Sequence, residues 1–143
     1  MTGEARRGAP LFVPPGAGRV KADADAAGGV LGLVETVIAG GHSAPLHVHA
    51  REDEAFYVLS GAVAFRCGDE DFRAEAGAFV YLPRGIPHAF LGLSEEPARV
   101  LVLLLPGGLE KAFVDPARFD ELLARHGVEV VGPPLGEARG AGP

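Results

Sequence analysis

The chain has 143 residues, 48% of them hydrophobic and 22% charged, a balance that fits one folded domain and not a disordered segment. A net charge of -6 and a pI near 5.3, with Lys and Arg scattered, argue against nucleic acid or an anionic membrane as partner, since either needs clustered cations. No apolar run approaches the roughly 18 residues that cross a bilayer. The longest, Val100 to Leu105, is of strand length, and the first 20 residues hold two arginines but no stretch apolar enough for a signal peptide, so a cytoplasmic protein is expected. The one cysteine, Cys67, leaves no internal disulfide and no Cys-rich zinc site, and reads as a small apolar filler in a strand.

Along the chain, Gly and Pro recur every several residues with short β-branched or aromatic runs between them, the spacing of an antiparallel sandwich or barrel. The runs that predict strands are Val30 to Ile38, Leu46 to His49, Ala55 to Leu59, Ala62 to Cys67, Ala78 to Leu82, His88 to Leu93 and Ala98 to Leu105. Ser60-Gly61 marks one turn. The acidic run Gly68-Asp69-Glu70-Asp71, ahead of a short Phe72-Arg73 piece, reads as a solvated hairpin tip. Asp115 and Pro116, then ARFDELLARH and Gly127, predict a short helix with Asp at its N-cap, Pro in its first turn and Gly past its end. Phe119, Leu122 and Leu123 would form its apolar stripe. The expected organisation is a mobile segment over 1–9, a barrel over 10–107, a helical extension over 108–135 and a mobile tail over 136–143.

The chemistry concentrates in two places. Gly41-His42-Ser43-Ala44-Pro45-Leu46-His47-Val48-His49 sets two imidazoles two residues apart in an extended stretch, so His47 and His49 point the same way and can share an ion. Glu54 opens the next β run and can turn a carboxylate into the same cavity, and the rigid turn Leu82-Pro83-Arg84-Gly85-Ile86-Pro87 delivers His88 into another strand. Three imidazoles and one carboxylate suit a divalent transition metal, whether Fe, Ni, Mn, Co, Cu or Zn, because imidazole is a borderline ligand. His42 reads as a loop residue, and His126 as a helix C-terminal residue favoured by the dipole.

These segments resemble the cupins. Gly41-x5-His47-x-His49-x4-Glu54-x6-Gly61 fits the first cupin motif, Gly77-x5-Pro83-x-Gly85-x2-His88 fits the second, and 15 residues separate them, as in compact single-domain bacterial members. One position departs: relatives often carry Asn four residues after the second-motif histidine, where this chain has Gly92. The resemblance implies an all-β fold, a single-domain cupin or jelly-roll barrel with a short C-terminal helix. It also selects Glu54 as the acidic ligand, leaving Glu52 and Asp53 to face solvent at the barrel mouth.

Residues in phase with these ligands are expected to line a substrate pocket: Phe56 and Val58 after Glu54, and Phe90 after His88. Phe65, Phe79, Tyr81 and Leu103 join them as candidates of undetermined facing. An apolar, aromatic lining without clustered Lys or Arg points to an apolar or planar aromatic small molecule, and a sugar phosphate would want cations. Arg84, in its turn, reads as solvated. No serine has a His and Asp partner outside the proposed ligands, and no Gly-rich piece has the strand-to-helix context of a phosphate loop.

The tract APLHVHAREDEAFYVLSG, then FVYLPRGIPHAF, the helix and VEVVGPP resemble the small quercetin 2,3-dioxygenase-like cupins. That resemblance implies a metal-bound flavonol-like enolate attacked by O2, with Glu54 as ligand and as the catalytic base. The same motifs resemble cupin isomerases, decarboxylases, lyases and cyclases, in which the metal is a Lewis acid, and non-catalytic small-molecule-binding cupins. A homodimer is the assembly the resemblance implies.

Overall fold

The structure is a computed structural model that describes residues 10–16 and 18–136. The ends expected to be mobile, 1–9 and all of 136–143 except Gly136, lie outside the described residues. The described strands are β1 (Val20–Ala22), β2 (Gly32–Ile38), β3 (Pro45–His49), β4 (Asp53–Ser60), β5 (Ala62–Cys67), β6 (Glu70–Glu75), β7 (Phe79–Leu82), β8 (His88–Gly92), β9 (Ala98–Leu105) and β10 (Val128–Pro134). They form two five-stranded antiparallel sheets, β1-β2-β9-β4-β7 and β10-β3-β8-β5-β6. This is the single-domain jelly roll that the motifs imply.

Period-two alternation decides what each sheet presents inward. In β9, Ala98, Val100, Val102 and Leu104 are buried, and they pair with Val58, Phe56 and Glu54 of β4 in one direction and with Val34 and Gly32 of β2 in the other. The second sheet answers with Val63 and Phe65 of β5 and Ala74 of β6. Phe56 and Phe65 meet edge to face at 5.1 Å, with Phe90 against Phe56 at 5.7 Å, so an aromatic cluster fills the middle of the core. Each of the two fully buried rings, Phe56 and Phe65, contributes roughly 1.5–3 kcal/mol.

The structure departs from the sequence expectations at three places. The acidic run is not a four-residue tip: the hairpin turns on Gly68-Asp69 alone, with Gly68 at φ 59, while Glu70 and Asp71 belong to β6 and Asp71 binds Arg66 at 2.7 Å. The C-terminal helix α1 covers Phe119–Arg125, after a 3-10 turn at Pro116–Arg118 whose preceding Asp115 makes no side-chain cap. Leu122 is buried and Leu123 packs on the core, but Phe119 is 46% exposed and lies outside the stripe assigned to it. Finally, β1, β6 and β10 extend the sheets beyond the expected seven strands. No described helix is long and apolar enough to cross a membrane.

The departure at Gly92 has a steric cause. Gly41 donates to its carbonyl at 2.9 Å, and its own N–H donates to His42 O at 2.9 Å, which brings the 39–42 segment against β8. A Cβ there would sit 2.2 Å from Ala39 O. The asparagine common among relatives therefore has no room in this chain. Gly92→Asn is expected to destabilise by about 2 kcal/mol through backbone displacement, seen as a melting temperature several degrees lower. An unchanged melting curve would show that the segment gives way freely.

Candidate metal centre

His47, His49, Glu54 and His88 come together, each offering one ligand atom within 4.8 Å of the others. The second sheet's register does most of this. Val130, His47, His88, Cys67 and Glu70 are successive cross-strand partners, one row across β10, β3, β8, β5 and β6. Directly opposed residues share a face, so this row places two imidazoles side by side, their ring centroids 4.5 Å apart. His49, two positions on, points the same way and stacks on His88 at 5.1 Å. Glu54 reaches across from the first sheet, where its own row neighbours are Leu82 and Leu104.

Gly85 links the two motifs. At φ 81 it takes a conformation that favours glycine, and its N–H donates to His49 O at 2.8 Å, so the turn that launches His88 is tied to the strand that carries His49.

The nitrogen inventory fits a cation. His47 Nδ1 donates to Pro45 O at 2.6 Å, leaving the Nε2 lone pair free, and burial, then the neighbouring His88, lower that imidazole to about 4. His49 places Nδ1 3.5 Å from Glu52 Oε1 and Nε2 3.4 Å from Glu54 Oε1. Burial alone would lower His49, but the carboxylates of Glu52 and Glu54 beside the ring outweigh it and raise the imidazole to about 9. Glu54 Oε1 lies 3.0 Å from His88 Nε2, and although burial opposes ionisation, these two histidines hold the carboxyl well below the usual carboxylate range. His49 Nε2 is buried without a hydrogen-bond partner. A buried nitrogen of that kind, aimed at a carboxylate and two further imidazoles, suits a divalent metal.

The expected pocket residues divide. Phe56, Val58 and Phe65 are packed in the core beside the ligands. Phe90, half-buried, shares the inner face with His88 and borders the site. Phe79, Tyr81 and Leu103 do not line it. They alternate with the buried Val80, Leu82, Val102 and Leu104 and so occupy the outer face of the first sheet, with Phe79 62% and Tyr81 46% exposed. Inner-face residues that the sequence reading passed over are Val130, Phe72 and Cys67, whose thiol is pushed up by burial. Phase with Val63 and Phe65 was the signal available for Cys67.

Of the two acidic neighbours expected to face solvent, Asp53 lies at the exposed rim and Glu52 inside. Glu52 does not face solvent: it is fully buried between His49 and His126, and His126 is itself buried. Asp53 accepts from Arg84 Nε at 3.1 Å and from the Tyr81 hydroxyl, and these bonds hold its carboxyl well below the usual range. Arg84 is thus engaged at the rim and is not merely solvated. His42 is exposed in its loop as expected.

The sequence profile of the cupin domain matches residues 33–104. The chain belongs to the cupin family. It is 31% identical over 81 residues to the tetracenomycin polyketide synthase protein TcmJ of Streptomyces glaucescens, covering 57% of this chain and 53% of that one. Among solved structures it is similar to KdgF from Halomonas sp., with TM-score 0.57 and 24% identity over 63% of this chain and 77% of the other. A putative sugar phosphate isomerase from Acidithiobacillus ferrooxidans shares 28% identity, with TM-score 0.50, over 57% of this chain and 55% of the other. The chain spans between half and three fifths of the length of the curated relatives it matches.

Loaded with Co(II) and passed through a desalting column, this cupin is expected to keep about one equivalent by elemental analysis. His88→Ala removes a ligand and is expected to abolish retention, whereas Phe79→Ser on the outer face leaves it unchanged. Equal retention by wild type and His88→Ala would remove His88 from the site.

Proposed function

We propose that this cupin is a metal-dependent dioxygenase acting on an enolisable, hydroxylated aromatic molecule of the flavonol or aromatic-polyketide kind. The observation that carries the reading is the contrast between the cluster and its surroundings. Four ligands converge at one end of an inner face otherwise built from Val, Ile, Leu, Phe, Ala, Gly and Pro, with Cys67, Thr36 and the edge residue Glu70 among its other polar members. No Lys or Arg occupies an inner-facing position of the described strands. The part of this face beside the ligands that is not packed away, at the half-buried Phe90 and Cys67, favours a planar apolar body with one chelating edge, and the similarity to a polyketide synthase protein supports the same substrate class.

A divalent metal bound there would supply Lewis acidity and, for Fe, Ni, Mn, Co or Cu, a site for O2 chemistry. His47, His49 and His88 would hold it. Glu54 is ionised at neutral pH, which makes its Oε1 an acceptor in place for the substrate hydroxyl proton. Phe90, beside His88, would stack on the aromatic body. A homodimer is part of this proposal, supported by the exposed Tyr57, Phe79 and Tyr81 on the outer face, and a one-chain mass by light scattering would remove it.

A second reading keeps the metal as a Lewis acid only, for an isomerase, lyase, decarboxylase or cyclase. The similarity to the putative sugar phosphate isomerase favours it, while the scarcity of inner-facing cations opposes a phosphorylated substrate. Oxygen uptake decides. With a flavonol and a hydroxylated aromatic polyketide as probes, the metal-loaded protein is expected to consume O2 in proportion to substrate, and Glu54→Gln to turn over at least about 100-fold more slowly. Equal turnover under nitrogen would sink the dioxygenase reading and leave the Lewis-acid one.

A further inference from the structure

Glu52 is unlike the other carboxylates around the site. It lies in the three-residue connection between β3 and β4, two positions ahead of Glu54, and no part of it reaches solvent. A buried carboxylate needs partners, because water no longer solvates it. Its Oε1 is 3.5 Å from His49 Nδ1, and its Oε2 lies 3.2 Å from His126 Nδ1 without making a hydrogen bond. That His126 nitrogen instead accepts from Arg51 at 2.7 Å. His126 has a place reserved for it: a Cβ on Gly108 would lie 2.7 Å from its Cε1. Just beyond α1, Ala50 donates to Gly127 O at 3.1 Å, and Val128 pairs with His49. The end of the C-terminal helix is therefore seated on the loop that carries Glu52.

The order of atoms matters. His49 Nε2 faces Glu54, while Nδ1, on the far side of the ring, faces Glu52. A carboxylate behind an imidazole fixes the tautomer with hydrogen on Nδ1, sets the ring plane and strengthens the Nε2 lone pair toward a cation. We propose that Glu52 is the positioning residue of the metal centre, holding His49 by its Nδ1 hydrogen so that Nε2 is presented to the ion, with His126 of the C-terminal segment walling in its second oxygen. This rests on the reading of the four-residue cluster as a metal centre.

The test is a competition for Co(II) between a chromophoric chelator and the full chain, with the visible Co(II) spectrum recorded in parallel. Wild type, Glu52→Leu and Glu52→Gln are compared. Glu52→Leu keeps the bulk but removes the acceptor, and is expected to bind Co(II) roughly 10- to 100-fold more weakly, with shifted ligand-field bands. Glu52→Gln keeps an acceptor oxygen without the charge and is expected to fall between. If both variants melt as wild type does, bind Co(II) equally tightly and show the same spectrum, Glu52 is only structural and the inference is overturned. Should Glu52→Leu fail to fold, the Gln variant decides alone: weaker binding with shifted bands upholds the role, and wild-type behaviour ends it. Wild type that takes up no Co(II) would instead bring down the metal-centre reading beneath it.

Discussion

The arrangement depends on one cross-strand register, the pairing of His47 in β3 with His88 in β8. Side chains alternate at period two, so a slip of one residue would turn either histidine to the outside and carry its whole strand's inner set with it. The register is pinned away from the site. Ala44 donates to Phe90 O, Gly41 and Gly92 lock the 39–42 segment to β8, and Gly85 ties the second-motif turn to His49 O. The motif glycines Gly41 and Gly85 thus act on backbone placement, and the ligands follow from it.

Electrostatics explains why such a register is worth holding. Glu54 lies in a row flanked by Leu82 and Leu104, where an isolated carboxylate would be strongly disfavoured. The imidazoles reverse that preference and keep it ionised, while Glu52 and Glu54 together hold His49 protonated and burial keeps His47 neutral. Two buried acids thus converge on one imidazolium. A dication among these donors would replace that proton and satisfy the unpartnered His49 Nε2, which is how a metal couples to the protonation of its ligands.

The motif spacing and strand alternation made the ligand set legible in the sequence, since both express the same period-two geometry and the same turn residues. What lay beyond them was less so. Facing could not be assigned to Phe79, Tyr81 and Leu103 because an apolar residue on an exposed sheet face looks, in sequence, like one on a buried face; the phase became readable only when β7 and β9 were registered against Glu54 in β4. Glu52 was misplaced for a related reason. Charged residues in a connection between strands usually face water, and what buries this one is His126, 74 positions away in sequence. Phe119 failed at a boundary: it is the first residue of α1, directly after a 3-10 turn, and stays exposed although it lies only three positions before the core-facing Leu122.

The C-terminal segment is best understood through the edge it covers. Without β10, β3 would end its sheet with unpaired backbone groups, and the strand that bears two of the four ligands would be an exposed edge, open to slippage and to pairing with other chains. With β10 in place, Val128 and Val130 pair with His49 and His47 themselves, and Leu135 N donates to Ser43 Oγ at 2.8 Å, closing the far end. The same segment seats His126 against Glu52. The ligand strand is therefore held by its hydrogen-bond edge and, through Glu52, by the back of an imidazole ring, so the residues after the barrel contribute directly to the precision of the site.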